Sequence, residues 1–166
     1  MAAGFTLSTD HGAVSRGIGR LAAMGRDLVP LLQDLGQEGE DSTVLRFDTN
    51  IAPDGAPWKP SLRATITGGK TLVESTRLRD SIHYQLDGDD AVEWGSNVIY
   101  AGVHQAGATI TAKGGGALTF TLATGATVMV KSVTLPARAF LGISAHDSAE
   151  MLDIVEGHFH RAVGGA

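Results

Sequence analysis

The side chains with most chemical reach in this 166-residue sequence are six histidines, eighteen carboxylates and a scatter of serines; there is no cysteine. A disulfide framework, a thiolate metal site and a cysteine nucleophile are therefore excluded together. His158 and His160 stand two apart, about 200° around a helix axis, so they cannot chelate one ion from the same helix. His83 falls on an expected strand and His104 on an expected short helix. Zinc needs three or four converging ligands, and no His-x-x-x-His or His-Glu-x-x-His spacing occurs. Asp87, Asp89 and Asp90 cluster in a turn, but a calcium loop must end in a glutamate at its twelfth position, which here is Val98. Ser81, Ser96 and Ser144 lack the Gly-x-Ser-x-Gly elbow. Gly114-Gly115-Gly116 lacks the Lys-Ser/Thr that makes a phosphate loop useful. No nucleophile, base and oxyanion donor assemble, so no catalytic, cofactor-binding or metal-binding residue is expected.

The elements that would position these groups follow from period and punctuation. Apolar residues at Val14, Ile18, Leu21, Leu28, Leu31, Leu32 and Leu35 trace one helical stripe, with Asp10 as its N-cap. Pro30 should kink or split it. Gly36 and Gly39 should loosen the chain before a short helical segment through Val44, Leu45 and Phe47. Residues 10–49 thus form an N-terminal helical part. Three prolines and three glycines in residues 51–70 exclude a long helix or central strand, and Trp58 is expected to plug this loop into the core.

A short helix is expected over 72–82, with Leu78 and Ile82 on one face. Ile82, Tyr84 and Leu86, then Val92 and Trp94, alternate around Asp87-Gly88-Asp89-Asp90 as a β-hairpin, with Trp94 as core beneath it. Ser96 caps a short helix through Ile99, Tyr100, Val103 and His104, closed by Gly107. Residues 108–135 read as a second, projecting hairpin, with Leu118, Phe120 and Leu122 on one strand and Val128 and Val130 on the other. Pro136 to Gly142 is an extended linker carrying Phe140 and Leu141 into the core. Ser144 and Asp147 form a capping box for a last helix, striped by Met151, Leu152, Val155, Phe159 and Ala162.

These elements predict one α+β domain over 1–166: a small antiparallel sheet of two hairpins, packed by N- and C-terminal helices, with a projecting β-hairpin. The composition suits a packed core, at 43% apolar and 19% charged. The net charge of −5 has no Lys/Arg-rich face, which opposes a nucleic-acid grip. Neither a signal peptide nor a membrane span is expected, so the protein should be made in the cytoplasm.

Four segments in order, Pro53-Asp54-Gly55-Ala56-Pro57-Trp58, Leu78-Arg79-Asp80-Ser81-Ile82, Tyr100-Ala101-Gly102-Val103-His104-Gln105-Ala106-Gly107 and Pro136-Ala137-Arg138-Ala139-Phe140-Leu141-Gly142, resemble the phage virion morphogenesis or tail-completion family of Mu-like and related tailed phages. The sequence departs from that pattern at Thr76, where the family's Thr-Gly turn is missing. The resemblance implies a structural subunit of the virion's head–tail neck or tail terminus. It implies a ring of copies of itself, with six-fold symmetry, beside neighbouring neck or tail-tube proteins and around DNA that passes without specific binding. Candidate interface residues are Tyr100 and His104, which lie on one side of a helix and either pack internally or meet a neighbour. Arg138 is placed to anchor its linker to an acidic partner. Phe120, Val128 and Val130 lie on the hairpin, whose open edge can pair with an adjacent chain. The rival readings are an assembly factor absent from the finished particle, a small hydrolase or ligand-binding domain gathering His83, His104 and a carboxylate, and a DNA-binding factor.

Overall fold

The computed structural model describes residues 12–23 and 27–164, and the expected cap Asp10 lies outside them. The fold is α+β, with five helices and three separate two-stranded antiparallel ladders among the described residues. Helix α1 spans Gly12–Ala23 and α2 spans Val29–Thr49. Pro30 does split the helical stripe in two, and it sits in the first turn of α2, where a missing N–H leaves no intrahelical bond unmade. Asn50 ends α2 in the left-handed region, at φ 57°, returning its N–H to the Arg46 carbonyl at 2.8 Å.

Gly36 and Gly39 do not loosen the chain as expected; α2 runs through both as one 21-residue helix. They are glycines because the β-hairpin lies directly on them. A Cβ on Gly36 would stand 2.5 Å from the Tyr84 ring, and one on Gly39 2.6 Å from the Trp94 indole. Alanine at an exposed helical site gains about 0.5–1 kcal/mol over glycine. Gly19→Ala in α1, with nothing within 4 Å of the new methyl, should realise that gain. Gly39→Ala should instead lose about 1–3 kcal/mol by overpacking, and the two melting temperatures should move in opposite directions.

The hairpin itself, β1 Ile82–Asp87 and β2 Ala91–Ser96, has Tyr84 opposite Trp94 and Leu86 opposite Val92. Gly88 supplies the positive φ of its turn. The Tyr84 N–H donates to the Glu40 carboxylate at 2.8 Å, pinning the strand to α2. The helix expected over 72–82 reduces to one 3-10 turn, Arg79–Ser81. Leu72 and Thr76 both take positive φ, which interrupts a helix on either side, and the Thr76 hydroxyl donates to Asp80. The proline-rich loop holds only the short α3, Leu62–Thr67, capped by the Ser61 hydroxyl.

Helix α4 is Ala101–Ala106. It starts later than expected, because Ser96 caps the Val98 N–H at the preceding turn and pairs with the Ser81 hydroxyl, not with the helix. Residues 108–135 project as two successive ladders: β3 Ala108–Thr111 with β6 Ser132–Leu135 at the base, and β4 Leu118–Thr121 with β5 Thr127–Val130 at the tip. Helix α5, Ala145–Gly164, opens on the expected capping box, with Ser144 Oγ accepting from the Asp147 N–H and Asp147 accepting from the Ser144 N–H.

Two apolar cores result. One gathers Val14 and Leu21 of α1, Leu31, Leu32 and Leu35 of α2, and Met151 and Val155 of α5, with Trp94 packed against it. The other holds Phe47, Trp58, Leu78, Ile82, Ala101 and Phe140. Helix α2 contributes to both.

Candidate functional site

The second core is where the four family-like segments meet. The first supplies Trp58, the second Leu78 and Ile82, the third Ala101 and the fourth Phe140. Phe47 joins them from α2, with its ring 5.5 Å from Trp58, edge to face, and 5.4 Å from Phe140. Residues drawn from positions 47 to 140 therefore form a single socket, and what it grips is the linker 136–142 at the foot of the projecting arm.

The grip is polar as well as apolar. Trp58 Nε1 donates to the Ala139 carbonyl at 2.8 Å. Gln105 of α4, buried, accepts from the Phe140 and Leu141 N–H groups at 2.9 and 3.0 Å and donates to the Leu141 carbonyl at 2.8 Å. Arg46 of α2 reaches in from the other side and donates to the Phe140 and Gly142 carbonyls at 2.8 and 2.9 Å. Its second nitrogen meets Asp147, and both side chains of that ion pair are only 7% exposed. Burial alone would raise the Asp147 pKa, but the Ser42 hydroxyl, the Ser144 N–H and the Arg46 charge outweigh it and hold the carboxyl below its ordinary range. A buried irregular segment needs partners for its backbone groups, and these side chains supply them at Ala139, Phe140, Leu141 and Gly142.

Of the predicted interface residues, Tyr100 and His104 do come together, ring to ring at 5.8 Å and nearly perpendicular. His104 Nδ1 is buried without a hydrogen-bond partner. Burial, and then the Arg138 charge, lower the His104 pKa and favour the uncharged ring at the arm's foot. Arg138 is buried and has carbonyl partners inside the chain in place of the acidic partner expected: its Nε donates to Lys59 O at 2.7 Å, and its N–H donates to His104 O at 2.8 Å. Gly107 turns the chain into the arm at φ 72°, where a Cβ would stand 2.7 Å from Ala137 N.

Beyond that root no arm strand residue is buried. The tip register places Leu118, Phe120, Val128 and Val130 on one face and Thr119, Thr121, Thr127 and Met129 on the other. Phe120, Val128 and Val130 are thus brought together as one apolar face. The base repeats this division, with Ala108, Ile110, Val133 and Leu135 opposed to Thr109, Thr111, Ser132 and Thr134. The outgoing strand is interrupted by the turn at Lys113–Gly115, whereas the return strand passes between ladders through Lys131 alone.

His83 is exposed, with Nδ1 2.9 Å from the Ser81 carbonyl, and the charge acting on His104 is the cation of Arg138. His158 pairs with Asp34 across α5 and α2 at 2.8 Å. Among the described residues no group of three histidines, aspartates or glutamates is placed to hold a metal ion, and no helix is long and apolar enough to cross a membrane.

Sequence reasoning missed Arg46 and Gln105. The spacing of Ser42 and Arg46 on one helical face, opposite a segment whose backbone cannot pair with a strand, was the available signal for the first. Gln105 stood inside a recognised segment, but its buried position depends on the linker that folds over it.

The phage virion morphogenesis family matches residues 9–160. The chain is also similar to the Mu-like prophage FluMu G protein 2 of Haemophilus influenzae, 25% identical over 146 residues, covering 88% of each chain. No solved structure matches it.

Proposed function

This chain belongs to the phage virion morphogenesis family, and from that premise we propose that it is a structural subunit of the head–tail neck or tail terminus, completing the tail and joining it to the head as a ring of copies. The family carries the coarser statement, a role in building the virion. The observation that supports the finer reading is the arm: a carefully rooted ribbon, apolar on one face, with every strand residue at least partly open to solvent. A ring subunit needs a compact body and a part that reaches its neighbour, and this chain has both. Arg138, Gln105 and Trp58 serve that reach indirectly by fixing the arm's foot, while Phe120, Val128 and Val130 meet the neighbour.

Particles made without this protein should accumulate as filled heads and separate tails in electron micrographs. Joined, normal virions would remove the proposal. A chain lacking residues 112–131 should retain both cores and still fail to complete particles. Recovery of rings from that deletion by size-exclusion chromatography would show that the arm is not the joining element.

A further inference from the structure

All the charge of the arm is positive. Residues 108–135 carry Lys113 and Lys131 and no carboxylate, while the other 138 residues hold eleven Lys/Arg and all eighteen Asp/Glu, a net −7. The tip ladder buries none of its residues, and an isolated two-stranded ribbon is marginal in water, so its apolar face calls for a cover. Two lysines are too few for a phosphate grip, and Leu118, Phe120, Val128 and Val130 suit protein.

The body of the same chain offers a matching surface. Between α2 and α5 lies a shallow concavity lined by Glu38, Asp41, Ser42, Leu45, His146 and Asp147, with Glu150 one turn beyond His146. Glu38, Asp41 and Leu45 fall on one stripe of α2, and Leu45 is 58% exposed, an apolar contact set among carboxylates. Arg46, the cation beneath, is already engaged by Asp147. Partial burial, then the charges of Asp147, Glu150 and Asp41, push the Glu38 carboxyl above its ordinary range, as expected where negative charge is crowded.

We propose that the apolar face of the arm docks on a second copy of this chain, with Leu45 covered and Lys113 or Lys131 brought to the Glu38–Asp41–Glu150 concavity. The contact is head-to-tail: each copy gives its arm to one neighbour and offers its concavity to the other, so it propagates around a ring. This rests on the ring reading above and names its partner and its chemistry.

Charge reversal in halves tests it. Lys113→Glu with Lys131→Glu makes an acidic arm; Glu38→Lys with Asp41→Lys makes a basic concavity. All four sites are at least partly open to solvent, and unchanged thermal unfolding checks that each variant folds; Asp41→Lys alone serves if the pair does not. By analytical ultracentrifugation at low salt, each variant alone should self-associate at least about tenfold more weakly than the natural chain. An equimolar mixture of the two should regain mixed assemblies, because each arm then meets an opposite charge. Added salt should weaken the natural association. Variants that associate like the natural chain, or a mixture that stays dissociated, overturn the docking. A natural chain that stays monomeric at millimolar concentration also overturns it, and leaves the neck or tail-terminus role to be judged by the micrographs of particles lacking the chain.

Discussion

Arg46→Ala should destabilise the fold by about 3–5 kcal/mol, the cost of stranding one member of a buried ion pair. For a chain of this size the melting temperature then falls by on the order of 10 °C. The loss is large because Arg46 does three things at once. It neutralises Asp147, and it also satisfies the Phe140 and Gly142 carbonyls. Replacing both charged partners by apolar residues of similar volume often restores stability at buried pairs. Here it should not, since the two carbonyls, Ser42 and the Ser144 N–H would all lose their partner. A double variant, Arg46→Met with Asp147→Leu, as stable as the natural chain would show that the linker does not depend on this network.

The same centre sets a pH dependence. The Asp147 carboxyl has a folded pKa below its unfolded value, so its contribution is complete above about pH 4 and is lost as pH falls through the folded pKa. Glu38 acts in the opposite sense, since its folded pKa is raised and its protonation favours the folded chain. Acid unfolding followed by circular dichroism should therefore be driven by Asp147, and the Asp147→Asn variant should show a flatter stability profile below about pH 4. An equally steep profile in that variant would place the acid sensitivity elsewhere.

Phe140→Ala is the second large effect, and its meaning comes from a comparison. Phe140 is fully buried against Phe47, and truncating such a side chain costs about 3–5 kcal/mol. Because its own backbone is the arm's foot, the substitution should both lower the melting temperature and impair particle completion. Phe120 lies on the exposed face of the tip, 39% accessible, and touches neither core. Phe120→Ala should leave unfolding within about 0.5 kcal/mol of the natural chain, yet reduce completion of particles. Equal loss of stability in both variants would mean that the arm is part of the fold. Equal particle yield with Phe120→Ala and the natural chain would mean that the arm's apolar face is idle.

Local signals in the sequence were read well where the chain answers to its neighbours in sequence. Pro30, the Asp87–Asp90 turn with its flanking alternation, and the Ser144–Asp147 box each act within a few residues, and each is found where expected. The larger failures involve distant partners. Gly36 and Gly39 look like helix breakers until two aromatic rings arrive from forty or more residues away, and then they are the only residues that fit. The 72–82 segment carried a helical spacing, but Leu72, packed against the second core, and Thr76 both turn left-handed. For the site, the apolar face of the arm was legible from alternation. The second hydrogen-bonded ladder at its base was not, since the Lys113–Gly116 interruption conceals which residues of the two long strands stand opposite one another. Arg138 was read as a cation seeking an acid, and it serves instead as a donor to carbonyls, a role that spacing cannot distinguish.

The arm leaves the body at Gly107 and returns at Pro136, two points that lie side by side because Ala108 pairs with Leu135. Whatever is threaded between them is topologically an insert: the flanking chain is already closed when the insert begins. Closure entropy grows only slowly with the length of such a loop. The segment beyond the base ladder can then be lengthened, shortened or resequenced with little consequence for folding of the rest. Related chains would be free to trade tips suited to different mates while keeping the same mounting, and a transplanted tip should travel with its binding preference.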